Sequence, residues 1–177
     1  MSYFHLIKES AQELKKVTSL TATAMLLALK SVISTFRIQV SNILEIGFSH
    51  LISAVIALYY GPMMAGVAGV VADTIDYLIR PTGPYFPGFA LNEFVIGFLY
   101  GLFFYKKNIT LPRVICARLC VAIFTELLMT PLWLNILYGD AYLALVGARI
   151  TTQIIKFPID CALLYGLLKS VSKIKKA

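Results

Sequence analysis

The sequence predicts an all-α integral membrane protein, with about six transmembrane helices in one compact bundle and both termini in the cytoplasm. Hydrophobic residues make up 59% of the 177 residues, and the mean hydropathy is +0.79. A soluble domain of this length cannot bury so much apolar surface. The apolar runs are long and continuous, which favours helices over the short alternating segments of a membrane β-barrel.

The distribution of basic residues predicts the topology. Of the 16 Lys and Arg residues, ten lie in the N-terminal segment, in the stretch after Tyr105 and in the C-terminal tail. Two, Arg37 and Arg80, lie in the alternate connections, and four lie inside apolar runs. Cytoplasmic connections of membrane proteins carry an excess of Lys and Arg. The net charge of +7 therefore indicates membrane orientation, and no nucleic-acid partner is expected.

The elements follow from this pattern in order. Residues 1–18 are amphipathic, with apolar side chains at helical spacing, and are expected to lie at the cytoplasmic interface of the lipid bilayer. Residues 19–177 are expected to form the six-helix transmembrane domain, with spans near residues 20–37, 43–60, 63–79, 88–105, 111–137 and 142–168. Gly61-Pro62 predicts a tight inner turn, residues 80–87 an outer loop stiffened by three prolines, and Pro131 a kink.

Nine charged residues are predicted at membrane depth, where each costs about 2.5–3.5 kcal/mol on insertion scales. They must pair with one another or line a wet cavity, and as a set they favour a cavity. The nine are Lys30, Asp73, Asp76, Glu93, Arg118, Glu126, Arg149, Lys156 and Asp160. Asp76 and Arg80 are spaced to form an ion pair on one helix face.

The depth of these groups predicts a cavity that opens to the outside. Asp73 in the third span, Asn92 in the fourth, and the stripe of Arg149, Gln153 and Lys156 in the sixth all reach the outer half of the bundle. Arg37 and the Tyr85-Phe86 loop lie above that half, and the loop is expected to gate the cavity. These residues are the candidate substrate-binding residues.

No catalytic residues, metal site or cofactor are predicted. The sequence has no P-loop, no Gly-x-Ser-x-Gly and no His-Glu-x-x-His. A small bundle with one cavity and no ATPase predicts a substrate-binding subunit driven by partner proteins. Ala24 and Ala28, four residues apart in the first span, form a small-residue face that is expected to meet such a partner.

Several stretches resemble one family of membrane proteins. They are Ala24-Met-Leu-Leu-Ala28, Tyr60-Gly61-Pro62 followed by Gly66, Gly69 and Asp73, Gly83-Pro-Tyr-Phe-Pro-Gly-Phe89, and Thr130-Pro-Leu-Trp133. The chain from about residue 20 onward resembles the substrate-binding S component of energy-coupling factor (ECF) vitamin transporters, of the folate-specific kind. The resemblance implies a multi-pass protein of the bacterial plasma membrane, with Trp133 among the substrate contacts.

The resemblance also implies a mechanism and partners. It implies that folate or a reduced folate binds with high affinity in an outward-facing cavity. An ECF transmembrane scaffold subunit and two cytoplasmic ATPase subunits would then drive delivery, so that the chain itself is not an enzyme. The polar and aromatic residues suit folate but leave alternatives open: an S component for another vitamin such as riboflavin or thiamine, a small membrane enzyme, a proton-coupled carrier that uses Glu126 and Asp160, or a structural assembly subunit.

Overall fold

The computed structural model describes residues 3–35, 37–39, 45–81, 84–139 and 142–176. Helices α1 (Tyr3–Glu13) and α2 (Val17–Thr35) lead into a two-stranded antiparallel ribbon, β1 (Arg37–Gln39) and β2 (Glu45–Gly47). The helices α3 (Ser49–Ile79), α4 (Pro87–Phe104) and α5 (Leu111–Val121) follow. A π-helical segment (Ala122–Met129) joins α5 to α6 (Thr130–Tyr138), and α7 (Tyr142–Lys176) ends the described chain.

The helical bundle confirms the predicted all-α membrane fold, whereas the cytoplasmic location of both termini stays a prediction. Four segments of the described chain are long and apolar enough to cross a membrane: Val17–Thr35, Ser49–Ile79, Pro87–Phe104 and Leu111–Tyr138. The polar stripe on α7 lowers its hydropathy, so that this 35-residue helix is not among the four. The short ribbon was not expected, because its strands are only three residues long and occupy what the sequence predicted as a loop and the start of a span.

Helix α3 comprises two helices that meet at Gly61, as the predicted inner turn requires. Gly61 has φ 83° and ψ −173°, which lies outside the helical region and is readily adopted only by glycine. Ser49 and Tyr77 line one cavity at one end of the bundle, whereas Gly61 packs against Tyr105 at the opposite end of α4. The chain therefore descends over residues 49–60 and ascends over residues 62–79.

The ascending part of α3 lies against α4 at backbone contact distance. A Cβ added to Gly97 would clash with the carbonyl group of Ala65, and one added to Gly101 would clash with the backbone of Pro62. Small residues permit such close approach of helices within a bilayer. This packing fixes the rotation of α3 and α4, and with it the direction in which their polar side chains point.

Helix α1 is attached to the break in α3 by one buried hydroxyl group. The Ser10 hydroxyl donates to the carbonyl of Tyr60 (2.7 Å) and accepts the N–H groups of Met63 (3.0 Å) and Met64 (3.3 Å), which lack helical partners at the break. At the exposed edge of α1, Lys106 donates to Glu9 (2.8 Å). This hydrogen bond lowers the pKa of Glu9 below its ordinary value.

Pro131 distorts the fifth predicted span through the π-helical segment before it. A proline ring clashes with the carbonyl four residues earlier in an α-helix, and a π-helical segment relieves that clash by widening the turn. The Thr130 N–H accordingly bonds to the carbonyl of Thr125, five residues back. The Thr130 hydroxyl donates to the same carbonyl (2.7 Å), which leaves its oxygen free to accept from α4.

Candidate ligand cavity

A cavity of about 800 Å³ opens at the end of the bundle away from Gly61. Its walls come from α2, both halves of α3, α4, α6 and the connection between α3 and α4. Lys30, Asp73, Asp76, Arg80 and Glu93 supply its charged groups. This volume lies within the range of about 300–1,000 Å³ that is typical of small-molecule sites.

One face of α3 gives the cavity an acidic wall. Asp73 and Asp76 lie one turn apart, and Oδ1 of Asp76 is buried without a hydrogen-bond partner among the described residues. The predicted ion pair between Asp76 and Arg80 does not form between these described side chains. Arg80 caps the helix: its N–H still donates to the Asp76 carbonyl (2.9 Å), but its φ of −139° and ψ of 85° are not helical, so its side chain does not take the helical position above Asp76. Within the described part of the chain neither carboxylate forms an ion pair, and we expect both to accept from hydrogen-bond donors of a ligand.

Aromatic rings form the outer wall of the cavity. The Tyr77 and Tyr85 rings lie 5.0 Å apart between centroids, and Phe86 contacts Phe89 (6.1 Å) and Trp133 (5.6 Å). These distances are those of favourable ring pairs. Tyr85 and Phe86 line this cavity, and so do Tyr77 and Phe89. Tyr77 was missed although it shares a helix face with Asp73, four residues earlier.

A buried ion pair forms the floor. The Lys30 ammonium group donates to Oε2 of Glu93 at 2.7 Å, and the Lys30 side chain is 3% exposed. The pair links α2 to α4, and its two residues are 63 positions apart in the sequence. Both residues line the cavity. The sequence placed both charges at membrane depth but gave no signal that they were partners.

Asn92 and Trp133 support the aromatic wall from behind. Asn92 is buried, donates to the Thr130 hydroxyl (2.9 Å) and accepts the indole N–H of Trp133 (3.0 Å). The described residues that line the cavity include neither Asn92 nor Trp133. Trp133 contacts Phe86, which is one of the lining residues. The geometry gives Asn92 a positioning role, in which it holds the indole against the wall.

The predicted stripe on α7 lies apart from the main cavity. Lys156 lines a second cavity of about 270 Å³, which shares Ser49 and Glu93 with the first. Arg149 and Gln153 are half-buried and line neither of these two cavities as described. Arg37 lies in β1, but its side chain is outside the described residues. The structure therefore gathers Asp73, Tyr85 and Phe86 at one site and leaves the α7 stripe beside it.

A charge cluster borders the second cavity, which Arg118 and Glu126 line. Arg118 on α5 donates to Oδ2 of Asp160 (2.7 and 3.2 Å) and to Oε1 of Glu126 (2.8 Å). Arg118 is 3% exposed and Asp160 is fully buried. Charges in such surroundings are retained only when they are paired. The cluster connects α5, the π-helical segment and α7.

The small-residue face of α2 remains exposed in the isolated chain. Ala24 and Ala28 are exposed, and so are Met25, Leu29 and Val32 beside them. The opposite face of α2 carries Lys30 toward the cavity. A protein that contacts the Ala24 face would therefore leave the cavity walls untouched.

Membrane-length helices around a cavity of ligand size are the arrangement of a membrane-embedded substrate-binding component, and comparison with known proteins agrees. A family model described as "ECF transporter, substrate-specific component" matches residues 18–168. The chain is 35% identical over 162 residues to the folate transporter FolT of Clostridium novyi (strain NT), with 92% of this chain and 94% of that protein covered. It is 29% identical over 153 residues to the folate transporter FolT of Leuconostoc mesenteroides subsp. mesenteroides, with 83% of this chain and 82% of that protein covered.

A solved structure gives the same result. The chain superposes with a TM-score of 0.80 on a solved structure described as "Crystal structure of FolT bound with folic acid", at 35% sequence identity. The match covers 88% of this chain and 95% of that one. The protein belongs to the family of ECF transporter substrate-specific components, the S components. It is a multi-pass cell-membrane protein of a transporter family and not of an enzyme family, as the resemblance in the sequence implied.

Proposed function

We propose that this S component binds folate in the 800 Å³ cavity and delivers it across the membrane with an ATPase-driven partner module. The observation that carries the proposal is the pairing of an acidic α3 face with an aromatic wall in one cavity. The pterin ring of folate presents N–H groups on its amino-pyrimidine edge, which suit carboxylates, and flat rings suit aromatic walls. The relatives described as folate transporters and the folic acid complex favour folate over other vitamins.

The charges along α3 suggest an orientation for the ligand. Seven residues separate Asp73 from Arg80, which corresponds to about 10 Å along a helix. Asp73 is half-buried, whereas Arg80 is exposed at the outer end. We infer that the pterin ring lies toward Asp73 and Asp76, and that the anionic glutamate tail lies toward Arg80. Arg37, Arg149, Gln153 and Lys156 remain predicted contacts of the tail or supports of the cavity.

The single tryptophan provides a direct binding assay. Trp133 is the only Trp in the chain and contacts Phe86 at the cavity wall, so folic acid is expected to quench its emission. Asp73→Asn removes a charge-assisted hydrogen bond of about 1.5–3 kcal/mol, and a loss of roughly 10- to 150-fold in affinity follows. Glu9→Gln, on α1 at the other end, is the matched control. Quenching by riboflavin or thiamine but not by folic acid would contradict the proposal.

The partners would be the ECF scaffold subunit and two cytoplasmic ATPases. The exposed Ala24 and Ala28 face supports contact with the scaffold, because small residues allow close packing against another helix. Both termini are proposed to be cytoplasmic. In support, α1 attaches at the Gly61 break, and α7 extends 16 residues beyond Asp160 away from the cavity rim at Tyr138. We also propose that residues 1–18 act as a cytoplasmic interfacial segment and residues 19–177 as the substrate-binding domain.

A further inference from the structure

The ring of His50 lies between two hydrogen-bond acceptors. Its Nδ1 is 3.0 Å from the carbonyl oxygen of Gly47, at the end of β2. Its Nε2 is 3.7 Å from Oδ1 of Asp160 on α7. Neither Nε2 nor Oδ1 has a hydrogen-bond partner among the described residues, and both atoms are buried from solvent. The imidazole thus bridges the outer ribbon and the charge cluster of Arg118, Glu126 and Asp160.

A neutral imidazole cannot satisfy this arrangement. It carries one N–H, so that one ring nitrogen donates and the other is an acceptor. With the proton on Nδ1, the bare Nε2 faces a carboxylate oxygen, and with the proton on Nε2, the bare Nδ1 faces the Gly47 carbonyl. Either tautomer leaves two acceptors facing each other in a buried place. One additional proton, on Nε2 or on Oδ1 of Asp160, removes the conflict.

The neighbouring charges act in both directions. Asp160 on α7 and Glu126 on the π-helical segment favour a proton on the ring, whereas Arg118 on α5 and Lys156 on α7 oppose it. From α4, Glu93 is neutralised by Lys30, and Tyr100 presents a buried hydroxyl group without a described partner. Because Arg118 already engages Oδ2 of Asp160, Oδ1 is the atom left for the additional proton.

We propose that His50 and Asp160 together bind one proton, and that this proton ties the ribbon and the start of α3 to α7 and so strengthens ligand binding. Ser49, the residue before His50, lines both cavities, as does Glu93. Loss of the proton would separate two elements at the edge of the ligand cavity. The effect on affinity rests on the proposed function, whereas the bound proton does not.

The first test needs no ligand. The chain has two His residues, and His5→Gln on exposed α1 leaves His50 as the only one. This variant is labelled with ¹⁵N-histidine and examined by NMR in detergent at neutral pH. We expect Nδ1 to give the signal of an N–H group, and Nε2 that of a second N–H group or of a nitrogen that accepts a hydrogen bond from a carboxylic acid. A signal from a ring nitrogen with a free lone pair would overturn the proposal.

The second test measures the coupling to the ligand. The Kd for folic acid is followed from pH 5.5 to 8.5 by Trp133 quenching in His5→Gln and in His5→Gln/His50→Gln. Uptake of one proton changes Kd by at most about tenfold per pH unit, and we expect affinity to fall as pH rises in His5→Gln. Gln at position 50 donates an N–H to Asp160 at every pH, so its Kd should change less.

The outcomes separate the two proposals. Ionisation of folic acid itself is common to both variants and cancels in their ratio. An identical pH dependence of Kd in the two variants would overturn the coupling. If neither variant bound folic acid, the proposed function would fail, and the NMR measurement would still decide whether the pair holds a proton. If the His50→Gln variant does not fold, the NMR measurement on His5→Gln still tests whether the pair holds a proton.

Discussion

Replacement of Arg118 by Met tests whether the buried charge cluster holds the bundle together. Met is unbranched and apolar, and it removes the guanidinium group while retaining much of the length of the side chain. Arg118 donates to Oδ2 of Asp160 at 2.7 and 3.2 Å and to Oε1 of Glu126 at 2.8 Å, and it is 3% exposed. The variant therefore leaves Asp160 fully buried without its cation and Glu126 without its described partner.

The size of the effect follows from what is left behind. Removal of one partner from a buried ion pair costs about 3–5 kcal/mol, because the remaining charge is uncompensated. For a chain of this size, each kcal/mol lowers Tm by about 2–4 °C, so a decrease of about 6–20 °C is expected. Asp160→Asn added to Arg118→Met removes the buried charge, and the double variant should be more stable than the sum of the two single changes indicates.

Thermal unfolding in detergent, followed by Trp133 emission, measures the cycle. Arg113→Met is the matched control, because Arg113 is half-exposed at the start of α5 and, among the described residues, donates to the carbonyl of Asn108. Its effect should lie within about 0.5 kcal/mol. The reasoning would be refuted if Arg118→Met were no less stable than Arg113→Met. It would also be refuted if the Arg118 and Asp160 changes were additive within about 0.5 kcal/mol.

Three further predictions follow from the packing and the exposed faces. Gly97→Ala places a Cβ against the Ala65 carbonyl and should destabilise the protein by about 1–3 kcal/mol. Gly147→Ala is the control and should not destabilise it, because no heavy atom lies within 4 Å of the added Cβ. Equal Tm values for the two variants would contradict this packing. In stopped-flow quenching, Phe86→Ala should increase the dissociation rate of folic acid more than it lowers the association rate. An unchanged dissociation rate would contradict the prediction that the Tyr85-Phe86 loop gates the cavity. Ala24→Trp should block uptake by the assembled transporter and leave binding by the isolated chain intact, so that loss of binding would contradict a pure partner surface.

Much of the fold was predictable because hydropathy and turn chemistry are local. The order of the helices, the reversal at Gly61-Pro62 and the connection that carries Tyr85 and Phe86 agree with the structure, although the second helix begins at Ser49 and not near residue 43. Pro131 indicated a distortion, and the structure shows that it takes the form of a π-helical segment. The ribbon was not predictable, since strands of three residues carry too short a pattern to distinguish from a loop.

The pairing of charges was not predictable from local pattern. The spacing of Asp76 and Arg80 favoured an ion pair, but Arg80 is the C-cap of α3 and its own φ and ψ are not helical, so its side chain leaves the helix face. Asn92 had the depth of a substrate-binding residue, yet it bonds to Thr130 and Trp133, 38 and 41 residues away. A candidate list based on depth alone therefore combines residues that face the cavity with residues that support its wall.

The sequence by itself determined the membrane environment, the order and approximate limits of the helices, and the set of polar residues that had to pair with one another or line a solvated cavity. These properties depend on composition and on neighbours within a few residues. Only the tertiary structure decided that Lys30 pairs with Glu93, that Arg118 binds both Glu126 and Asp160, and that Asp73 and Asp76 line the main cavity. The reason is physical: such partners are fixed by the rotation of each helix about its axis, and close contacts such as that of Gly97 on Ala65 set this rotation across large separations in sequence.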